Sequence, residues 1–376
     1  MKRILIMPVL LISVMATAQT KPFTMTGKIG TLNKPAMIYL DYMENGQSHA
    51  DSTYLVDGQF KFAGKLNGNA YARMALDPTG EGKGKAVYAG DAIYFYFGAE
   101  NMQLSSKDSL ASAKITGSKV YDEHMAYNKT IGGSIMEITK AANTEFSAGS
   151  PEDQKDPGFM KAVNDRFKAR LEHKNEQQLV FAESHPNSFF SLVALSETQK
   201  SKENEARIAA AFKKLDPQLK KLDMGVELAQ RIEASTLTAI GASAPVFTQK
   251  DVNGKPISLA DLKGKTVLVE FWASWCGPCR AENPNLVKLY NQYKDKGFEI
   301  LAVSLDSDKA AWEKAIKADG LPWLHVSDLK GWNNAVGRLY GVRAVPASVL
   351  VDKDGKVIGN ELRGESLKAK LAELYN

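Results

Sequence analysis

Cysteine is scarce in this chain, which has only two, Cys276 and Cys279, in 376 residues. A network of structural disulfides is therefore excluded, and Cys276–Cys279 is the one intramolecular disulfide that can form. A bridge that closes so short a loop removes little entropy from the unfolded chain and stabilises the fold only slightly. We therefore expect the pair to serve redox chemistry rather than stability.

Clustered metal ligands and a strong net charge are also missing. The five histidines are scattered, with no H-x-x-x-H pair, and there is no second C-x-x-C. Because a zinc site needs about four ligands, we predict neither a metal nor another cofactor. The net charge is +5 and falls to +3 once Lys2 and Arg3 are left out. This bias is too weak to indicate nucleic acid as a partner.

The first 18 residues have the pattern of a secretory signal peptide. Lys2 and Arg3 form a positive region, Ile4 to Met15 is apolar, and Ala16-Thr17-Ala18 is a typical cleavage site. The alternative is an uncleaved membrane anchor, but the apolar run is shorter than the roughly 20 residues that span a bilayer. We expect residues 1–18 to be removed and the protein to be exported to the periplasm or cell envelope.

The remaining chain predicts three regions and hence a multi-domain protein. Residues 19–118 contain short β-rich segments, which indicate a β-sandwich-like module. Residues 119–240 are predicted to form a helical region and a linker, because apolar residues recur there at helical spacing. Residues 241–376 alternate strand and helix patterns, which is typical of an α/β fold. Three dipeptides predict hairpin turns in the first region: Asn45-Gly46, Asp57-Gly58 and Asn67-Gly68.

The two cysteines lie between a predicted strand and a predicted helix. The apolar run 266–273 precedes the motif Trp275-Cys276-Gly277-Pro278-Cys279, and a helical pattern follows it. At the helix N-terminus, free N–H groups and the helix dipole favour a thiolate on the first cysteine. The second cysteine, about one turn later, could attack a mixed disulfide and release the substrate. This order of elements indicates thiol–disulfide exchange.

Several segments of residues 241–376 match one known family: 244–247, 253–255, 262–265, 271–280 and Val345-Pro346. On these segments the region resembles the thioredoxin superfamily, and more narrowly the TlpA/ResA-type envelope disulfide reductases, whose domains are also described as AhpC/TSA or redoxin domains. Peroxiredoxins need a Thr-x-x-Cys context in place of Trp-Cys-Gly-Pro-Cys, so peroxidase activity is not expected. Residues 22–118 resemble the small β-module, of no settled function, that often precedes such domains, with matches at 51–52, 57–60 and 115–117.

The resemblance draws attention to two carboxylates. Glu270 lies six residues before Cys276, where thioredoxins carry a buried acid and ResA-type proteins usually a neutral residue. Burial should raise its pKa, so that it could accept the proton of Cys279 directly or through water. Glu282 matches a functional glutamate of ResA-type proteins, and its alternative is an ordinary exposed helix residue. Arg280 is expected at the surface rather than in catalysis.

The resemblance also implies a substrate-binding surface. Pro346 matches the cis-proline that faces the C-x-x-C loop in this superfamily, and cis bonds are rare outside X-Pro sequences. Val345 would offer its backbone groups to an extended substrate. Trp275, together with Gly277 and Pro278 of the loop, completes the predicted substrate contacts.

These observations predict an exported thiol–disulfide oxidoreductase. The Gly277-Pro278 dipeptide resembles that of reducing thioredoxins and favours a reductase of envelope proteins. The family resemblance implies a role in cytochrome c maturation or envelope redox homeostasis, with a membrane electron donor. Two alternatives remain: a disulfide oxidase or isomerase, and a partner-binding envelope protein with secondary redox activity. The expected partners are protein thiols and disulfides, and the oligomeric state is left open.

Overall fold

The computed structural model describes residues 20–44, 46–88, 90–198 and 202–375. The predicted signal peptide and Asn45 of the first predicted turn lie outside these residues. The chain divides into two compact units. The first contains residues up to 199 together with 214–224, and the second contains residues 200–213 and everything from 225 onwards. Among the described residues, no helix is long and apolar enough to cross a membrane.

The first unit begins with two four-stranded sheets, in the orders β4-β1-β7-β8 and β3-β2-β5-β6. Alternate side chains of both sheets enter one apolar core, which includes Phe23 and Met25 of β1, Ile38 of β2 and Phe97 of β6. The strands are β1 (Lys21–Ile29), β2 (Met37–Glu44), β3 (Gln47–Tyr54), β4 (Gln59–Leu66), β5 (Ala70–Asp77), β6 (Asp91–Phe97), β7 (Asn101–Ser106) and β8 (Lys114–Thr116), and helix α1 (Lys83–Tyr88) precedes β6.

The predicted turns of this region have different outcomes. The first hairpin is confirmed, since β2 pairs with β3 up to Glu44 opposite Gln47. The turn at Asp57-Gly58 is also confirmed, since both residues have positive φ and Val56 pairs antiparallel with Gln59 across them through two backbone hydrogen bonds. The flanking strands β3 and β4 nevertheless belong to different sheets. Asn67-Gly68 likewise connects β4 to β5 across the two sheets. The hairpin prediction at Asn67-Gly68 was wrong, because a turn sequence fixes the local bend and not the partner of the next strand.

Helices dominate residues 119–237, as predicted. They are α2 (Lys119–Thr130), α3 (Ile135–Ala148), α4 (Pro157–Ser184), α5 (Phe189–Glu197), α6 (Lys202–Lys214), α7 (Pro217–Lys220) and α8 (Asp223–Leu237). Ser188 begins α5 by accepting a hydrogen bond from the Phe190 backbone N–H, which satisfies one of the free donors of a helix start. Most of α6 and α8 belongs to the second unit.

The second unit is built on a five-stranded sheet, in the order β13-β12-β11-β14-β15. The central strand β11 runs parallel to β12 and antiparallel to β14. From residue 248 onwards the helices and strands of the second unit are β9 (Thr248–Lys250), β10 (Pro256–Ser258), β11 (Thr266–Trp272), α9 (Gly277–Tyr293), β12 (Phe298–Ser304), α10 (Lys309–Asp319), β13 (Leu324–Val326), α11 (Ala335–Leu339), β14 (Ala347–Val351), β15 (Val357–Asn360) and α12 (Gly364–Tyr375).

Both faces of β11 are buried, which explains its almost continuous apolar sequence. Leu268 and Trp272 point to one face and enter a core cluster with the two cysteines and Leu286 of α9. Val267, Val269 and Phe271 enter a second cluster on the opposite face. Because side chains alternate along a strand, Glu270 lies on the same face as Leu268 and Trp272, the face of the redox helix.

Candidate active site

The redox pair lies where β11 passes into α9. Cys276 is the N-cap residue of α9, and its Sγ accepts a hydrogen bond of 3.2 Å from the Cys279 backbone N–H. Cys276 and Cys279 form a disulfide with their Cα atoms 5.3 Å apart. Pro278 occupies the first turn of the helix, where a missing N–H costs nothing. The sequence therefore places the first cysteine at the positive end of a 17-residue helix.

The rim of the site combines exposed and buried groups. Cys276 and Cys279 are 4% and 1% exposed, whereas Trp275 is 56% exposed. Gly277 and Pro278 are also exposed. The Val345–Pro346 peptide bond is cis, which confirms the sequence-based expectation, and both residues are half-buried.

Glu270 is buried inside the sheet. Across the neighbouring strand its register partner is Ser348, and burial raises the pKa of the Glu270 carboxyl to about 8. The predicted direction of the pKa shift is therefore confirmed. A carboxyl group with this pKa exchanges protons near neutral pH, the range in which thiols are activated.

Glu282 is not a plain exposed helix residue. Its Oε1 accepts a hydrogen bond of 2.8 Å from the backbone N–H of Gly364, the first residue of α12, and its Oε2 accepts one from Asn285. A carboxylate at the start of a helix is favoured by the free N–H groups and the helix dipole. This contact links the redox helix α9 to α12.

Glu270 and Glu282 line the same small cavity, which Pro346 also borders. The cavity encloses about 10 Å³, which is the room that a single water molecule needs. Neither cysteine is among the described residues that line it. The structure thus brings the two predicted carboxylates and the cis-proline together around one cavity.

The sequence reasoning missed two groups that hold the C-x-x-C loop. The buried Asp306 accepts hydrogen bonds from the backbone N–H and the Oγ of Ser274, at 2.9 and 2.5 Å. Arg280 forms an ion pair with Asp319 and donates to the carbonyl oxygen of Ser274 at 3.2 Å. Asp306 follows the end of β12, and a polar residue at the carboxyl end of a buried strand is a signal that could have identified it.

His325 is buried, and its ring centroid lies 5.7 Å from that of Trp272 and 5.9 Å from that of Trp323. Burial lowers its pKa to about 4, so the imidazole is neutral at physiological pH. Within the described residues, no group of three or more histidine, cysteine or acidic side chains is placed to hold a metal ion.

Comparisons with known proteins agree with this geometry. Residues 239–376 match the Redoxin family model, and residues 23–124 match a domain of unknown function, DUF4369. The thiol-disulfide oxidoreductase ResA of Bacillus thuringiensis subsp. konkukian is 42% identical over 134 residues, covering 36% of this chain and 75% of that protein. The ResA of Bacillus anthracis is 43% identical over 132 residues, covering 35% of this chain and 74% of that protein.

Solved structures give similar matches. The thioredoxin domain of a thiol-disulfide oxidoreductase from Bacteroides vulgatus is 42% identical, with a TM-score of 0.35, and the match covers 37% of this chain and 99% of that domain. A thiol-disulfide oxidoreductase from Bacteroides fragilis is 38% identical with a TM-score of 0.34, covering 35% of this chain and 98% of that structure. On the sequence matches to ResA, the chain belongs to the TlpA/ResA-like thiol–disulfide oxidoreductases of the thioredoxin superfamily.

Proposed function

We propose that this oxidoreductase is exported and reduces disulfides of proteins in the cell envelope. The observation that carries the proposal is the position of Cys276, whose Sγ lies at the N-terminus of α9 and accepts the Cys279 N–H. That position favours a thiolate on Cys276 once the disulfide is reduced.

The reaction consists of two exchanges. The Cys276 thiolate attacks one sulfur of the substrate disulfide, forms a mixed disulfide, and releases the other substrate sulfur as a thiolate that takes up a proton. Cys279 then loses its proton and attacks the Sγ of Cys276, which releases the second substrate thiol and closes the Cys276–Cys279 disulfide. Two electrons and two protons pass to the substrate. An external dithiol reductant, for which we propose a membrane electron donor, must restore the reduced pair.

Glu270 is proposed as the acceptor of the Cys279 proton. It lies on the face of β11 that carries the redox helix, and its pKa of about 8 suits proton transfer near neutral pH. Glu282 is proposed to exchange that proton with solvent through the small cavity that both carboxylates line. The hydrogen bond from Gly364 holds the Glu282 carboxylate at the edge of that cavity.

The proposed substrate lies as an extended segment against the cis-proline loop. Val345 would pair with it through backbone groups, as in β-strand addition. Trp275, Gly277 and Pro278 would contact the residues beside the substrate disulfide, since all three are exposed next to Cys276.

The remaining assignments extend the same proposal to the whole chain. Residues 1–18 would direct export and be removed, which places the protein in the periplasm or cell envelope. Residues 19–118 would form a β-sandwich-like module, 119–240 a helical region and linker, and 241–376 the thioredoxin domain. With no cysteine pair in its sequence, the region before 241 is assigned to partner choice, dimerisation or placement in the envelope. Apocytochrome c is one candidate substrate, on the family resemblance alone.

The reduction potential of the Cys276–Cys279 couple tests the reductase assignment. A value near that of thioredoxin, about −270 mV, supports a reductase, whereas a value near that of DsbA, about −120 mV, indicates an oxidase.

Export has a separate test. Mass spectrometry of the protein recovered from the periplasmic fraction should find an N-terminus at Gln19, and recovery of the uncleaved chain from the cytoplasm would contradict it.

A further inference from the structure

Two large aromatic side chains lie exposed beside the redox pair. Trp275 and Trp332 are 56% and 50% exposed, and their ring centroids are 5.8 Å apart. We refer to them as the tryptophan pair. Tryptophan is the residue most enriched among those that dominate binding energy at protein interfaces. Adjacent exposed rings next to a reactive cysteine therefore form a surface suited to a binding partner.

A buried hydrogen-bond network fixes the first member of the pair. Asp306, only 1% exposed, accepts from both the backbone N–H and the Oγ of Ser274, the residue before Trp275. It also accepts from the Oγ of Ser304, at the end of β12. The backbone that carries Trp275 is therefore anchored to the sheet rather than free to swing.

The same strand end fixes the second member. The carbonyl oxygen of Ser304 accepts hydrogen bonds from Asn334 Nδ2 at 3.3 Å and from Ser327 Oγ at 2.9 Å. These two residues flank the segment that carries Trp332. Because the backbone beside both tryptophans is anchored to groups around Ser304, the backbone of the docking surface is pre-positioned, which lowers the entropy cost of binding.

The chain segment that carries Trp332 is rich in basic residues. Lys330, Arg338 and Arg343 are exposed on the segment that leads from β13 to the cis-proline. Asp328, the acidic residue of that segment, accepts hydrogen bonds from the backbone N–H groups of Ala335 and Lys330. Its carboxylate is thus engaged with the chain's own backbone. The rim beside the tryptophan pair therefore favours a partner with negative charge.

We propose that the tryptophan pair is the docking surface for one kind of substrate segment: a polypeptide with an aromatic side chain next to its disulfide cysteine and acidic residues nearby. The aromatic side chain packs against the rings of Trp275 and Trp332, and the acidic residues face Lys330 and Arg338. Trp332 is accordingly a specificity-determining residue. This proposal rests on the proposed reduction of protein disulfides and names the class of substrate.

The test compares three disulfide peptides with the reduced full chain. The first has Phe beside its cysteine and Glu flanks, the second replaces Phe by Ala, and the third replaces Glu by Lys. We expect the wild type to reduce the first peptide with a kcat/KM about tenfold above that of the others, as is typical for loss of a buried aromatic anchor. Trp332→Ala should remove the preference for Phe, and Trp332→Phe should keep most of it. Leu374→Ala, at another exposed apolar residue on α12, serves as the control and should change nothing.

Two further readouts separate the possible failures. Bis(2-hydroxyethyl) disulfide has neither an aromatic ring nor a charge, so its reduction reports on the redox pair without the docking surface. A wild type unable to reduce it would contradict the reductase function instead. Binding of a serine-for-cysteine version of the first peptide, measured by calorimetry, tests docking without any redox step. The docking proposal is overturned if Trp332→Ala binds this peptide as tightly as the wild type, or slows all three disulfide peptides equally.

Discussion

Arg280 Nη2 lies 2.5 Å from Asp319 Oδ1, and Arg280 Nε contacts the other carboxylate oxygen, so the residue after Cys279 is bound at two points to the end of α10. The carboxylate also accepts from Asn283 Nδ2 at 2.7 Å. Arg280 was expected at the surface, but it joins the redox helix to α10 and to the Ser274 carbonyl oxygen. Two-point arginine–carboxylate pairs are among the stronger polar contacts in proteins.

Asp319→Asn should lower the free energy of unfolding by on the order of 1–2 kcal/mol at pH 7, because Arg280 loses its charged partner. The hydrogen bond from Arg280 lowers the pKa of Asp319. The stabilisation from the Arg280–Asp319 pair is therefore fully present above the ordinary pKa of an aspartate. It is lost as the pH falls through the lowered pKa that Asp319 has in the folded protein. Urea unfolding at several pH values measures this. Glu365→Gln, which breaks an exposed pair with Lys368, is the control and should cost little. Equal losses in the two variants would contradict the special role of Asp319.

The parts of the fold with a strong local signal could be predicted. Strand β11 is a run of apolar residues, the C-x-x-C motif follows it, and α9 has a helical pattern, so the redox site was located from the sequence. Strand β13 was not predicted, because three residues are too few to show a period of two. The pairing of β4 with β1 was also out of reach, since it depends on a contact between segments distant in the chain.

The same distinction applies to the candidate site. The cysteines, the cis-proline and Glu270 follow from motifs and from apolar flanks. The contacts of Arg280 with Asp319, and of Glu282 with Gly364, join segments far apart in the chain. No local pattern encodes them, because they exist only after α9, α10 and α12 have packed.

Replacement of Cys279 should trap substrates. In Cys279→Ser the Cys276 thiolate can still form the mixed disulfide, but no second thiol is left to resolve it. We expect discrete adducts on non-reducing gels that disappear with dithiothreitol. Cys276→Ser is the matched control and should give none. Adducts in the Cys276 variant alone would reverse the two roles.

Glu270→Gln should slow the resolving step about tenfold or more while leaving the first attack nearly unchanged, because an amide cannot take up the Cys279 proton. In the wild type, the resolving rate should rise as the pH passes about 8, where the carboxyl group loses its proton. Stopped-flow measurements between pH 6 and 9 separate the two steps. An unchanged resolving rate would make Glu270 a structural residue only.

Glu270 should also make stability depend on pH. Between its ordinary pKa of 4.5 and about 8, the folded protein keeps a proton that the unfolded chain has lost, so stability falls as the pH rises through this window. One pKa unit corresponds to about 1.4 kcal/mol. The free energy of unfolding of Glu270→Gln should therefore be a few kcal/mol higher than that of the wild type at pH 9, and equal to it near pH 4. Glu299→Gln is a control in the next strand that loses an ion pair with Lys265, and it should gain nothing. Parallel stability curves for wild type and Glu270→Gln would rule out the buried charge as the cause.

The last prediction concerns where the redox domain begins. The carbonyl oxygen of Thr238, just after α8, accepts a hydrogen bond of 2.9 Å from Asn360 Nδ2 at the end of β15. The ideal Cβ position on Gly341 lies only 2.8 Å from the Ala234 Cβ, so α8 packs closely on the turn that precedes the cis-proline.

We therefore expect a fragment of residues 225–376 to be more stable than one of residues 241–376, although both should reduce DTNB because both contain the whole redox site. Asn360→Ala gives an internal check. It should cost about 1 kcal/mol in the longer fragment, where the hydrogen bond can form, and almost nothing in the shorter one, where Thr238 is missing. Thermal and urea unfolding of the four proteins measure the difference. If Asn360→Ala costs the same in both fragments, the contact with Thr238 contributes nothing and the domain begins at 241, as the sequence alone predicts.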